Sequence, residues 1–195
     1  MSNLLDAGWS SRRVARLAGA AAVAVALGGI LLATALSPTF DWQASALSDL
    51  GVAPATARLF NGSLVVGAVV GAPYAWALWT AAPGTLGRLR AVGYLLAIAG
   101  MGGVGLAPAG HPFHVPFAVA FFLFAALTAV VDGVARFRLT NGKLAVVAGV
   151  LAVFVWPAWL LWLAGGGIAV PEFVGAALFG LWVVRLSPER PGQPG

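Results

Sequence analysis

Seven polar side chains stand apart in this chain as candidate ligand-binding groups: Ser48, Asp49, Arg58, Asn61, His111, His114 and Glu172. Their types allow more than one chemistry. His111 and His114 form a His-x-x-His pair. Zinc accepts His nitrogen and carboxylate oxygen in a four-ligand shell and can keep one position for water. That water can become a nucleophile near neutral pH. The pair lacks the i, i+4 spacing of a helical metalloprotease motif, and Pro112 between the histidines indicates a loop. We therefore expect no metal and no cofactor, and read both histidines as polar loop or interface groups. Ser45 or Ser48 with a histidine base offers a nucleophile only in residue type. No Gly-x-Ser-x-Gly elbow, P-loop or dinucleotide fingerprint occurs. With no cysteine, disulfides, thiolate nucleophiles and Cys-ligated metals are excluded.

The elements that must carry these groups are hydrophobic. The chain is 61% apolar and only 9% charged, against about 25% charged residues in soluble domains. Its mean hydropathy is +0.94. A length of 195 residues suits six spans of roughly 20 residues with short loops. The net charge of +5 does not indicate nucleic acid, because the basic residues are spread over short loops rather than gathered in a patch. They follow a topological pattern. Arg12, Arg13 and Arg16 precede the first apolar stretch, and Arg88 and Arg90 separate the second from the third. Arg136, Arg138 and Lys143 separate the fourth from the fifth, and Arg185 and Arg190 follow the last. Basic loops resist translocation, so this alternation predicts cytoplasmic N- and C-termini in the cell membrane. Only Arg58 falls on the other, outer side.

The runs predict an all-α bundle of six transmembrane helices at about 17–36, 58–80, 91–107, 114–135, 144–164 and 172–186. They are too long and continuous for the alternation of barrel strands. Residues 1–16 form a cytoplasmic lead, 17–186 the membrane domain, and 187–195 a disordered tail. Ser11-Arg12-Arg13 and Ala33-Thr34-Ala35 weakly resemble export signals, but the first stretch is read as a retained helix. Trp42 and Trp162 should mark the outer boundary, and Trp76, Trp79 and Trp182 the inner one. Trp156, Trp159 and Trp162 form a stripe that reads as packing or lipid contact. Pro73 and Pro157 should perturb the second and fifth helices. Gly67 and Gly71, with Gly100, Gly102, Gly103 and Gly105, should place the second and third helices at the centre.

The first outer loop, 37–57, suggests a short interfacial helix with Asp41, Ser45 and Ser48 on one face, stopped by Gly51. Arg58 is read first as a salt bridge to Asp49, Asp41 or Glu172, and second as a ligand for a headgroup phosphate. Glu172 after Pro171 suits the first turn of the sixth helix. Asp132 and Arg136 are spaced as a structural i, i+4 pair.

Ser48-Asp49-Leu50-Gly51, Leu59-Phe60-Asn61-Gly62 and a histidine at the start of the fourth helix together resemble the domain of unknown function 998 family. These are multi-pass membrane proteins of archaea and bacteria. The resemblance runs from about Leu17 to Leu186. A more distant one is to the Frag1/DRAM/Sfk1 group, tied to membrane lipid organisation. The resemblance to the domain of unknown function 998 family implies that Ser48, Asp49, Asn61 and a histidine are the recurrent polar positions. The leading expectation is an outward-facing polar pocket that binds or organises a lipid headgroup or small polar ligand. In it Arg58 meets the anion, Ser48 and Asn61 donate, and Asp49 orients Arg58. The partners are then membrane lipids, with no nucleic acid. The alternatives are a metal- or His-assisted lipid hydrolase, and a transporter. A transporter would need midplane ionisable groups, which the spans almost lack.

Overall fold

The computed structural model describes residues 2–163 and 166–189. Six helices follow one another: α1 (Ser2–Leu36), α2 (Ala57–Thr80), α3 (Gly84–Leu106), α4 (His114–Ala135), α5 (Thr140–Ala158) and α6 (Ala169–Leu181). No strand occurs among the described residues. All six helices are long and apolar enough to cross a membrane, the last together with its continuation to Leu186. A helix satisfies its backbone internally, as hydrocarbon requires. Large apolar side chains such as Val69, Leu106, Phe154 and Leu161 are exposed around the bundle. The protein is an all-α membrane bundle, with α1 starting at what we call its terminal end and the Ser37–Thr56 loop at its loop end.

Small residues set the packing. Gly67 and Gly71 of α2 receive α1: a Cβ on Gly67 would meet Ala26 at 3.2 Å, and one on Gly71 would meet Ala22 at 3.2 Å. Gly100 lets α3 approach α4, since a Cβ there would sit 2.7 Å from the Phe121 nitrogen. The most enclosed spans are α3 and α6 rather than α2 and α3. The glycine motif of α2 also faces Tyr94 and Met101 of α3, but Val66, Val69 and Trp76 on its other side are exposed. After Pro157, α5 widens into a π turn at Trp159–Leu163. A missing backbone donor accounts for that change of pitch.

The third span begins at Gly84 rather than Ala91. The turn is made at Pro83 and Gly84, whose φ of 68° suits glycine. Arg88 and Arg90 therefore belong to the helix. Arg88 is exposed, with its guanidinium 5.6 Å from the Trp79 ring centroid. Arg90 turns inward and is 2% exposed. It is not an orienting loop charge but half of a buried ion pair. Its Nη1 donates to Asp132 Oδ1 at 3.0 Å. Arg136 Nε donates to the same oxygen at 2.9 Å, and Arg136 Nη2 donates to Oδ2. Trp182 Nε1 also donates to Oδ2, at 2.8 Å. Trp182 is thus fully buried, not an interfacial anchor. The i, i+4 pair of Asp132 and Arg136 is formed as expected.

The chain beyond α6 also packs. Arg136 Nη2 donates to the Leu186 carbonyl at 2.8 Å. Ser187 hydrogen-bonds the Tyr74 hydroxyl, and Glu189 pairs with Arg16 at 2.8 Å. The expected disorder from Ser187 onward does not hold for Ser187–Glu189. Residues 190–195 of the expected tail, including Arg190, and the Trp162 side chain lie outside the described set.

Gly142 tests the packing. A methyl there would overlap the Arg136 carbonyl where α5 leaves the turn after α4, and backbone cannot swing aside. Gly142→Ala should lower unfolding stability in detergent by about 1–3 kcal/mol. Gly28→Ala and Gly62→Ala, where a Cβ meets nothing within 4 Å, should be neutral or slightly stabilising.

Candidate ligand-binding site

The loop end is assembled by polar staples. Asp41 Oδ1 accepts from the Gln43 and Ala44 nitrogens at 2.7 and 3.0 Å, which makes a tight Asx turn. A 3-10 turn follows at Leu47–Gly51, closed by Asp49 Oδ2 accepting from Ala46 N at 2.8 Å. The expected interfacial helix is therefore two short turns. Thr56 Oγ1 donates to the Leu50 carbonyl at 2.8 Å. Asn61 Nδ2 donates to the Gly51 carbonyl at 2.8 Å. Gly51 allows that approach: a Cβ there would sit 2.6 Å from Asn61 Oδ1.

The segment before α6 lies on this loop. Gly167 N donates to the Gln43 carbonyl at 2.8 Å. Ile168 N and Ala169 N both donate to the Ser45 carbonyl, at 3.0 and 2.9 Å. Glu172 is thereby placed under the 3-10 turn, where its Oε2 accepts from Leu47 N at 2.6 Å. A free N–H and a carboxylate are both costly in an apolar setting, and each satisfies the other.

Below the turn is a cavity of about 50 Å³. By this measure one water needs roughly 10–15 Å³, so there is room for a few waters or the tip of a headgroup. Ser48, His114 and Glu172 supply its polar lining, and Leu64, Met101, Phe121 and Phe122 are among its apolar walls. His114 Nδ1 lies 2.7 Å from the Ala107 carbonyl. A carbonyl can only accept, so Nδ1 carries the proton and Nε2 of the neutral ring is an acceptor.

Three of the seven candidates thus meet at one cavity. Asp49 and Asn61 adjoin it as staples of the loop. His111 is exposed and accepts from the Phe113 nitrogen at 3.2 Å. Arg58 is exposed and makes no ion pair among the described residues. The salt bridge expected from it does not form, because Asp49 turns to Ala46, Asp41 to its own turn and Glu172 to Leu47. Sequence reasoning missed the apolar walls, which come from four helices at positions that look like ordinary span residues. Among the described residues no three His, Cys, Asp or Glu side chains gather as a metal shell.

A family model described as protein of unknown function (DUF998) matches residues 20–187. No curated protein and no solved structure matches the chain.

The two readings of the polar set separate on stability. Asn61→Leu should destabilise by about 1–3 kcal/mol, because it leaves the Gly51 carbonyl without its buried donor. Arg58→Ala should stay within about 0.5 kcal/mol of wild type. Chemical unfolding of both variants in one detergent provides the check.

Proposed function

The chain belongs to the DUF998 family, and starting from that membership and from the cavity we propose that it binds the polar end of a membrane lipid, or a small polar ligand, at its loop end. One observation carries this reading: Ser48, His114 and Glu172 line a single cavity with apolar walls. A polar tip and an apolar body match that combination. The free functions also specify a polarity. Ser48 Oγ, His114 Nε2 and Glu172 Oε1 have no hydrogen-bond partner among the described residues, and two of the three are acceptors. They suit a group rich in N–H or O–H, such as an ammonium or a hydroxyl, better than a phosphate. The basic residues Arg12, Arg13, Arg88, Arg138 and Lys143 belong to the opposite end, which supports a cytoplasmic terminal end and an outward-facing cavity in the cell membrane.

Lipid hydrolysis is the second reading, favoured by Ser48 and His114 sharing the cavity. The His114 Nδ1 proton points to a main-chain carbonyl rather than to Glu172, so the three do not form a Ser-His-acid relay.

Glu172→Gln keeps an oxygen acceptor for Leu47 N and removes the charge. Its affinity for phosphatidylethanolamine in native mass spectrometry or nanodisc titration should fall about tenfold or more, as for a lost charged hydrogen bond. Ala118→Leu, which fills the cavity, should weaken binding as well. Unchanged affinity in both variants would sink the proposal. Turnover of the lipid by wild type, lost in Ser48→Ala, would favour the hydrolase.

A further inference from the structure

We infer that the terminal end holds a second, separate site for a phosphate-type oxyanion, formed by the Nε–Nη2 edge of Arg90. The Arg90 side chain is 3% exposed. Its Nη1 is paired with Asp132, but Nε and Nη2 are both buried without any hydrogen-bond partner. Those two N–H groups form the flat side of the guanidinium, the edge that grips two oxygens of a carboxylate or phosphate at once.

Among the described residues no side chain fills that edge. Asp132 already accepts two hydrogen bonds on each oxygen, from Arg90 and Arg136 on Oδ1 and from Arg136 and Trp182 on Oδ2. Glu189 is engaged by Arg16. Among the described residues two guanidinium groups therefore share one carboxylate, leaving a net positive charge in an apolar setting. A buried charge of this kind requires a counter-charge. Water could take the two hydrogen bonds but not balance the charge. Arg90 is six residues, about 9 Å along the axis, from the start of α3. That height places Arg90 toward the terminal end of the bundle. The exposed Arg88, Arg138 and Lys143 add a positive field that concentrates anions there. The oxyanion could be an anionic lipid headgroup or free phosphate, and the chemistry of the edge is the same for both.

The test is thermal unfolding of the purified chain in an uncharged detergent. One arm adds inorganic phosphate against chloride of equal ionic strength, and the other adds phosphatidylglycerol. We expect Tm to rise by on the order of 3 °C in at least one arm. A rise in the phosphate arm identifies a free anion, and a rise only with phosphatidylglycerol identifies a headgroup. Arg90→Lys can still reach Asp132 but lacks the two-pronged edge, and it should lose the increment. Arg58→Gln, which removes an exposed charge at the opposite end, should keep it. Native mass spectrometry of the wild type, which needs no variant, should show one retained phosphate-bearing adduct. No rise in either arm would overturn the inference, as would an undiminished rise in Arg90→Lys or an adduct-free wild-type spectrum.

Discussion

The carboxylate of Asp132 is the constraint on which the bundle's arrangement rests. It is fully buried on α4 and accepts hydrogen bonds from Arg90 of α3, Arg136 just past the end of α4 and Trp182 just beyond α6. Apolar contact with neighbours does little to select one helix rotation in lipid, where the tails are as apolar as the side chains. A charge with defined partners does select one. Removing a partner from such a pair costs about 3–5 kcal/mol, because the other charge is left buried and alone. Trp182 extends the constraint into the aromatic core, stacking on Phe179 at 5.9 Å between centroids. The segment after α6 is drawn in as well, through the Leu186 carbonyl and Ser187.

The same three helices supply most of the lining of the cavity at the other end, where α2 adds Leu64. Met101 and Val104 come from α3, His114, Ala118, Phe121 and Phe122 from α4, and Glu172 and Ala176 from α6. A helix is stiff over this length, so a register fixed at Asp132 also sets which side chains face the cavity. The loop end contributes its own polar staples. There the residues that resembled a family motif divide by role. Asp49, Gly51 and Asn61 hold the loop, and Ser48 and His114 reach the cavity. Most of that motif is thus accounted for by making a compact, satisfied turn over a membrane helix bundle.

The six helices were legible because each is a long apolar run, and hydropathy alone reads such runs. The Asp132–Arg136 pair was legible because spacing within one helix is fixed by helix geometry. Arg90 was not. A charge beside an apolar run looks like the start of a loop, and only the turn at Pro83 and Gly84 shows that α3 begins earlier. Trp182 failed for a related reason: an indole near a span end fits the interface equally well, and its buried acceptor lies on another helix. At the site, Ser48, His114 and Glu172 were legible as polar residues on one side of the topology. Their convergence was not, because it depends on main-chain hydrogen bonds from Gly167, Ile168 and Ala169 to the first loop. Arg58 was singled out by its rarity on that side. Rarity carries no information about partners, and each carboxylate it could have met is held by nearer backbone donors.

Two polar centres lie at opposite ends, one a cavity lined by Ser48, His114 and Glu172 and one the buried group of Arg90, Asp132 and Arg136. Both depend on helices held in register by one carboxylate. The most direct measurement is the unfolding free energy of Asp132→Asn against wild type in an uncharged detergent. The account predicts a loss of about 3–5 kcal/mol, the range for breaking a buried ion pair. A value within about 0.5 kcal/mol of wild type, as for an exposed substitution, would contradict it.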